Sequence, residues 1–357
     1  MIEDPTTITD RAWESHGTGT LRFAVVGLGW WTREYALPAI EAAENCSPTV
    51  VVSGSAGKRE EAIDGHESVS HGLDYDAFEA GEAREAYDAV YVCTPNALHL
   101  PSVEAAARYG KDVLCEKPME ATVERAETMV ASCEDADVTL MIAYRLQTDP
   151  VVRRLRQLVR DGAIGEPVQL YGHMSQPVLE FFDGGGWRLD PELAGRGASV
   201  TDLGVYPINT SRFVLGSDPV SVSAHDWSGH DAFSEVPDER SSFLLTFPGG
   251  VTALCSVSQN ASLSGSFRVI GTEGSIELSP AFFGRDRGRL TVSRREHEAS
   301  VSYEPVDQMR EEVAYFADRV LAGEPVGPDG EHGLRDMEVV DAVYESAESG
   351  RRVDLGN

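Results

Sequence analysis

The chain has 357 residues, 41% hydrophobic and 25% charged, enough for two domains with apolar cores. Its 59 acids against 30 Lys plus Arg give a formal net charge of −29, which argues against nucleic acid or an anionic membrane surface as partners. No apolar run approaches bilayer-spanning length, and residues 1–20 lack the apolar core of a signal peptide, so a cytoplasmic protein is expected.

Residues 1–20 read as a polar N-terminal arm. An apolar strand, Leu21–Val26, then runs into Gly27-Leu28-Gly29-Trp30-Trp31 and a helical segment from about Thr32 to Ala43. Gly27 permits a tight turn, and Gly29 lets the backbone approach a pyrophosphate at the helix N-terminus. Thr32 replaces the third glycine of the usual fingerprint, so the match is partial. The next strand, Thr49–Ser53, ends without the acid that usually holds a ribose 2′-hydroxyl. It runs instead into Ser53-Gly54-Ser55-Ala56-Gly57-Lys58-Arg59, whose hydroxyls and cations suit a 2′-phosphate. NADP is therefore predicted ahead of NAD.

Further strands are read at Ala89–Cys93, Asp112–Cys115 and Thr139–Ala143, with helices over Leu98–Tyr109 and Val123–Ala136 between them. This alternation predicts an α/β Rossmann domain, a doubly wound parallel sheet, over residues 21–146. Lys117, in Glu116-Lys117-Pro118, stands where a buried strand ends, at the carboxyl edge that binds ligands in such sheets. It is one of three lysines, with Lys58 and Lys111, in a chain that otherwise uses arginine.

After a helix near Val151–Asp161 the character changes. Pro167–Ser175, Val220–His225, Ser242–Phe247, Val251–Ser258, Phe267–Gly271 and Ser275–Leu278 read as strands, and Phe247-Pro248-Gly249-Gly250-Val251 as a hairpin turn. Helices over Asp307–Ala322 and Gly333–Ser349 close the chain. Residues 147–357 are thus expected to form an α+β domain with a large, mostly antiparallel open sheet. Its uncovered face is the expected seat of a homodimer or homotetramer.

Asp202, Tyr206 and Asn209 are spaced four and three apart, so a helix there would place all three on one face. Pro207 requires that helix to begin or kink nearby. The five cysteines, Cys46, Cys93, Cys115, Cys133 and Cys255, are scattered, and the nine histidines form no ligand motif, so no metal is predicted. Cys93 and Cys115 in strands suggest buried thiols in a reducing compartment. Acids spread along the whole chain, with lysine nearly absent, read as adaptation to high salt.

Gly27-Leu28-Gly29, Thr94-Pro95-Asn96 with His99, Glu116-Lys117-Pro118, and Gly195 followed by Asp202-x-Gly204-x-Tyr206 occur in one order. In this the chain resembles the glucose–fructose oxidoreductase/inositol dehydrogenase/MocA family over about residues 21–350. Trp187-Arg188-Leu189-Asp190 and Tyr206 look most like its sugar-oxidising branch. The resemblance implies NADP-dependent oxidation of an aldose at C1 to the aldonolactone, D-xylose being the first candidate. Glucose or another aldose, a dihydrodiol, and a non-catalytic NADP(H)-binding regulator are the alternatives.

The resemblance also implies roles. Trp30, Trp31, Ser53, Ser55, Lys58, Thr94, Asn96, His99, Glu116, Arg145, Trp187 and Arg188 would join Gly27 and Gly29 around the cofactor. Lys117, Asp202 and Tyr206 would be catalytic and would bind sugar together with Tyr144 and Asn209. Tyr206 is read as the base for the C1 hydroxyl, with Lys117 as a cation favouring tyrosinate. Asp202 is read as orienting the sugar hydroxyls or holding Lys117.

Overall fold

The computed structural model describes residues 8–9, 11–283, 287–295 and 297–356; residues 1–7 and 10 of the expected arm lie outside the described residues. Two compact units divide the chain, one built from Trp13–Arg145 and Asp307–Leu334, the other from Leu146–Val306 and Arg335–Asn357 with the described residues before Trp13.

The first unit holds a six-stranded parallel sheet of β1 (Leu21–Val26), β2 (Cys46–Val52), β3 (His71–Leu73), β4 (Ala89–Val92), β5 (Asp112–Glu116) and β6 (Leu140–Ala143). Its strand order is β3-β2-β1-β4-β5-β6, so the order reverses at β1 and the crevice for a dinucleotide opens at that strand's carboxyl end. β4 and β6 are buried at every residue, as expected of parallel strands covered on both faces. β2 starts three residues earlier than its apolar run because Ser47 and Pro48 pair with Arg22 and Phe23, next to a register shift at Phe23/Ala24. The three-residue β3 is too short to show in the sequence pattern.

The sequence assigned everything after residue 146 to one domain, whereas Asp307–Leu334 clusters with the first unit. The physical reason lies in helix Gln308–Ala322. It buries Val313, Ala314, Phe316 and Ala317 in the same apolar cluster as Phe23, Leu37 and Ile40. The chain from Trp13 to Gly17 is tied to that helix. Trp13 packs edge-on against Tyr315 at 5.5 Å, and the Ser15 hydroxyl with the His16 and Gly17 N–H groups donates to Asp318 Oδ1 at 2.7–2.8 Å.

The second unit carries β7 (Pro167–Pro177), β8 (Ser221–Trp227), β9 (Arg240–Thr246), β10 (Thr252–Ser258), β11 (Asn260–Gly271), β12 (Gly274–Ser279), β13 (Gly288–Arg294), β14 (His297–Tyr303) and β15 (Val353–Asp354). They form one nine-stranded sheet in the order β14-β13-β12-β11-β7-β10-β9-β8-β15, antiparallel except where β7 and β10 run parallel. One face packs on helix Val205–Leu215: a Cβ at Gly172 would stand 2.6 Å from Pro207. The other face leaves Tyr171, Trp227 and Leu254 at least 40% exposed.

Candidate active site

The strand ends of the first unit carry the residues expected around the nucleotide. Gly27 closes β1 with φ +93°, and a Cβ there would lie 2.2 Å from the Cys93 carbonyl oxygen, so no other residue fits. Nothing lies within 4 Å of where a Gly29 Cβ would stand, which leaves its backbone open to a phosphate. Trp30, Trp31 and Tyr35 form an aromatic cluster beside this turn, with ring separations from 4.7 to 6.2 Å. The segment from Thr32 to Ala36 is a π-turn and the α-helix proper spans Leu37–Ala42, a shorter helix than the sequence predicts. Pro38, in that helix's first turn, has no N–H to extend a regular ladder backwards.

At the end of β2, Ser53 is buried, and its hydroxyl accepts the Ser55 N–H at 3.3 Å. The Ser55 hydroxyl caps the helix Ala56–Gly65 through the Lys58 N–H. Arg59 reaches back to the Ser53 carbonyl at 2.5 Å. Two hydroxyls and two cations thus share one short turn with no carboxylate in it, and this donor set fits the 2′-phosphate of NADP. Together with the cradle of Gly27 and Gly29, the residues present suit that cofactor.

Thr94 and Asn96 follow β4, and His99 begins the next helix. His99 is buried, with ring nitrogens 3.0 Å from the Thr94 carbonyl and 3.1 Å from that of Met119. It therefore braces the loops after β4 and β5 against each other, and burial lowers its pKa. Glu116 is a second brace. Its Oε1 accepts the Tyr91 hydroxyl at 2.7 Å and the Trp31 indole N–H at 3.2 Å, and its Oε2 accepts the Lys117 N–H at 3.2 Å. Lys117 is thereby held at the carboxyl end of β5, half-buried.

Tyr144 follows β6 and packs on His332 at 6.1 Å, while the Arg145 guanidinium bonds Gln308 and lies 5.9 Å from the Trp31 ring. One residue here escaped the sequence reading. Glu312 is fully buried on the helix Gln308–Ala322, and burial, reinforced by Glu116, pushes its carboxyl well above the usual range. A signal existed, since the acid falls among the apolar positions Met309, Val313 and Phe316 of an amphipathic helix.

The residues expected to bind the sugar from Asp202 to Asn209 lie in the second unit. Asp202 sits in a π-turn, Val200–Gly204, that leads into helix Val205–Leu215, so the regular helix does begin just before Pro207. Asp202 Oδ2 accepts Gln259 Nε2 at 2.9 Å and Arg188 Nε at 3.1 Å, with Gln176 Nε2 at 3.5 Å. Arg188 is itself clasped between the rings of Phe182 at 4.4 Å and Trp187 at 4.8 Å. This clasp follows a turn in which Gly184, Gly185 and Gly186 all have positive φ. Gln176 and Gln259 come from a strand end and a strand junction, and no sequence motif marks them.

Tyr206 is largely buried beside Phe282, ring centroids 6.1 Å apart. Asn209 is 2% exposed. Its amide donates to Asp336 at 2.7 Å and accepts from Gln147 at 3.0 Å, inside the core. The π-turn Val200–Gly204, ahead of the regular helix, interrupts the 3.6-residue register assumed for one face.

Residues 21–144 match the model of an oxidoreductase family with an NAD-binding Rossmann fold, and residues 152–277 match the GFO/IDH/MocA C-terminal domain. The chain is 48% identical over 336 residues to D-xylose 1-dehydrogenase [NADP(+)] of Haloarcula marismortui, covering 94% of this chain and 93% of that protein. It is 32% identical to D-xylose 1-dehydrogenase (NADP(+)) 2 of Haloferax volcanii, over 94% of this chain and all of that one. Among solved structures, an aldose-aldose oxidoreductase from Caulobacter crescentus superposes with a TM-score of 0.87 at 31% identity, covering 94% of this chain and 100% of that one.

Proposed function

The chain belongs to the oxidoreductase family that joins an NAD-binding Rossmann fold to a GFO/IDH/MocA C-terminal domain, and from that premise we propose that it oxidises D-xylose at C1 to the lactone with NADP. The observation that carries this reading is the near full-length 48% identity to an NADP-dependent D-xylose 1-dehydrogenase, joined to a 2′-phosphate turn free of carboxylates. Bound NADP supplies the hydride acceptor.

The protein's own part is to orient the sugar and take up the C1 hydroxyl proton. Tyr206 is the proposed proton acceptor. Asp202, its carboxylate oriented by Gln176, Gln259 and Arg188, binds and aligns sugar hydroxyls. Lys117 supplies positive charge to the oxygen that loses its proton. Glu116 and His99 act one step back, by holding the loops that carry Lys117 and Asn96. Mixing the protein with NADP and a panel of aldoses, and following reduced-nicotinamide absorbance, tests the reading. D-xylose should give the highest kcat/KM, and no absorbance change with any aldose would refute it.

Cofactor choice has its own test. Ser53→Asp places a carboxylate where the 2′-phosphate is read to sit, and the ratio of kcat/KM for NADP over NAD should fall at least about tenfold, equivalent to 1.4 kcal/mol. An unmoved ratio would put the phosphate elsewhere.

The outer face of the nine-stranded sheet, with Tyr171 and Leu254 side by side in register, is the proposed contact between copies of the chain, as a dimer or tetramer. Light scattering in molar KCl should return a multiple of 38.7 kDa, and a monomer would contradict the assignment. A cytoplasmic setting suits five cysteines that form no disulfide among the described residues, four of them buried.

A further inference from the structure

One buried carboxylate, absent from every motif above, is fastened to the backbone that leads into Asp202. Asp238, just before β9, is fully buried. Its Oδ1 accepts the Ala198 N–H at 2.7 Å, and its Oδ2 accepts the Val200 N–H at 2.7 Å and the Tyr344 hydroxyl at 2.8 Å. The same Tyr344 oxygen accepts the Thr201 N–H at 3.2 Å and lies 3.0 Å from the Thr201 hydroxyl. A Cβ on Gly197 would stand 2.5 Å from both Asp238 Oδ1 and the Tyr344 hydroxyl, so only glycine lets the chain pass this close.

The neighbouring residues extend the fastening. The Ser199 hydroxyl donates to the Glu239 carbonyl at 2.8 Å and accepts the Gln259 N–H at 3.0 Å. Gln259 then holds Asp202 through its side-chain amide. The N–H groups at the start of a helix have no partners within it. Here a carboxyl group from another part of the chain takes up those of Ala198 and Val200.

We propose that Asp238 is a positioning residue for Asp202, fixing the Gly197–Thr201 backbone so that the Asp202 carboxylate stays aligned with Gln259 and Arg188. The proposal rests on the reading of Asp202 as a residue of the sugar site. Because the carboxylate acts at a distance through the backbone, its loss should slow turnover while leaving the nucleotide half untouched.

The test compares Asp238→Asn, Tyr344→Phe and Asp202→Asn in the full-length protein, with D-xylose and NADP as the probes. Asp238→Asn turns one acceptor into a donor that faces N–H or O–H donors, and kcat should fall at least fivefold with KM for NADP unchanged. Tyr344→Phe keeps both backbone bonds to Asp238, so its kcat should fall by a smaller factor, about twofold. If Asp238→Asn does not accumulate as folded protein, Tyr344→Phe decides: a drop in kcat at unchanged KM for NADP supports the proposal, and wild-type kcat overturns it. A folded Asp238→Asn with kcat within twofold of the parent also overturns it, as does a rise in KM for NADP matching the loss in kcat. Asp202→Asn separates the two levels. If it retains wild-type kcat, the assignment of Asp202 to the sugar site falls; if it loses activity while Asp238→Asn does not, only the positioning role falls.

Discussion

Replacing Lys117 by Ala should lower kcat for D-xylose oxidation by about a hundredfold or more while changing NADP affinity little. Lys117 stands at the carboxyl end of β5, its backbone N–H held by Glu116, which also accepts from Tyr91 and Trp31. In the proposed mechanism this cation stabilises the charge that develops on the C1 oxygen as its proton leaves. Removing one such preorganised group typically costs about 10²–10³ in rate. The turn at Gly27 and Gly29 and the turn from Ser53 to Arg59, proposed to hold the phosphates, are left intact by the substitution. Quenching of Trp30 and Trp31 fluorescence by NADP measures binding separately from turnover. Lys117→Arg should recover only part of the activity, because a broad guanidinium does not replace a compact ammonium. A kcat within tenfold of the parent in Lys117→Ala would remove Lys117 from the chemistry.

The second large effect is that of salt. The 59 acids exceed Lys plus Arg by 29, and many arginines are already committed, as in Arg22 with Asp88 or Arg196 with Asp341 and Glu348. If screening relieves even about 0.2 kcal/mol per uncompensated acid, the low end of surface pair energies, the sum approaches ~6 kcal/mol. That is comparable with the whole stability of a typical domain, about 5–15 kcal/mol. Screening lengths shrink from about 10 Å at 0.1 M to about 3 Å at 1 M salt. Both the unfolding midpoint and the activity should therefore climb steeply between dilute buffer and molar KCl. Sucrose at equal exclusion from the protein surface separates screening from strengthened burial, since it leaves charge repulsion in place. Equal stability in dilute buffer and molar KCl would refute the high-salt reading.

Features that depend on residues close together in the chain are legible in the sequence alone. Gly27 has to be glycine for a turn that a single strand-to-helix junction imposes, and the absence of an acid after β2 is visible in the chain itself. The strands that read clearly are those with continuous apolar runs. β13 and β14 escape because Gly288–Arg294 and His297–Tyr303 interleave Arg, Ser and Glu with isolated apolar residues, and strands exposed on one side offer few apolar positions to recognise.

The sequence by itself determined the family, the parallel sheet, the nucleotide turn and the strand-end position of Lys117. These follow from local periodicity, from glycine stereochemistry and from motifs that keep their order along the chain. Only the tertiary structure decided what surrounds each of these polar side chains. Glu116 is set by Tyr91 and Trp31, Asp202 by Gln176, Arg188 and Gln259, and Asn209 is drawn into the core by Gln147 and Asp336. It likewise decided that Asp307–Leu334 returns to the nucleotide unit. Such partners lie tens to more than a hundred residues apart. Hydrogen-bond geometry between them exists only once packing has brought the segments together, and no sequence period records it.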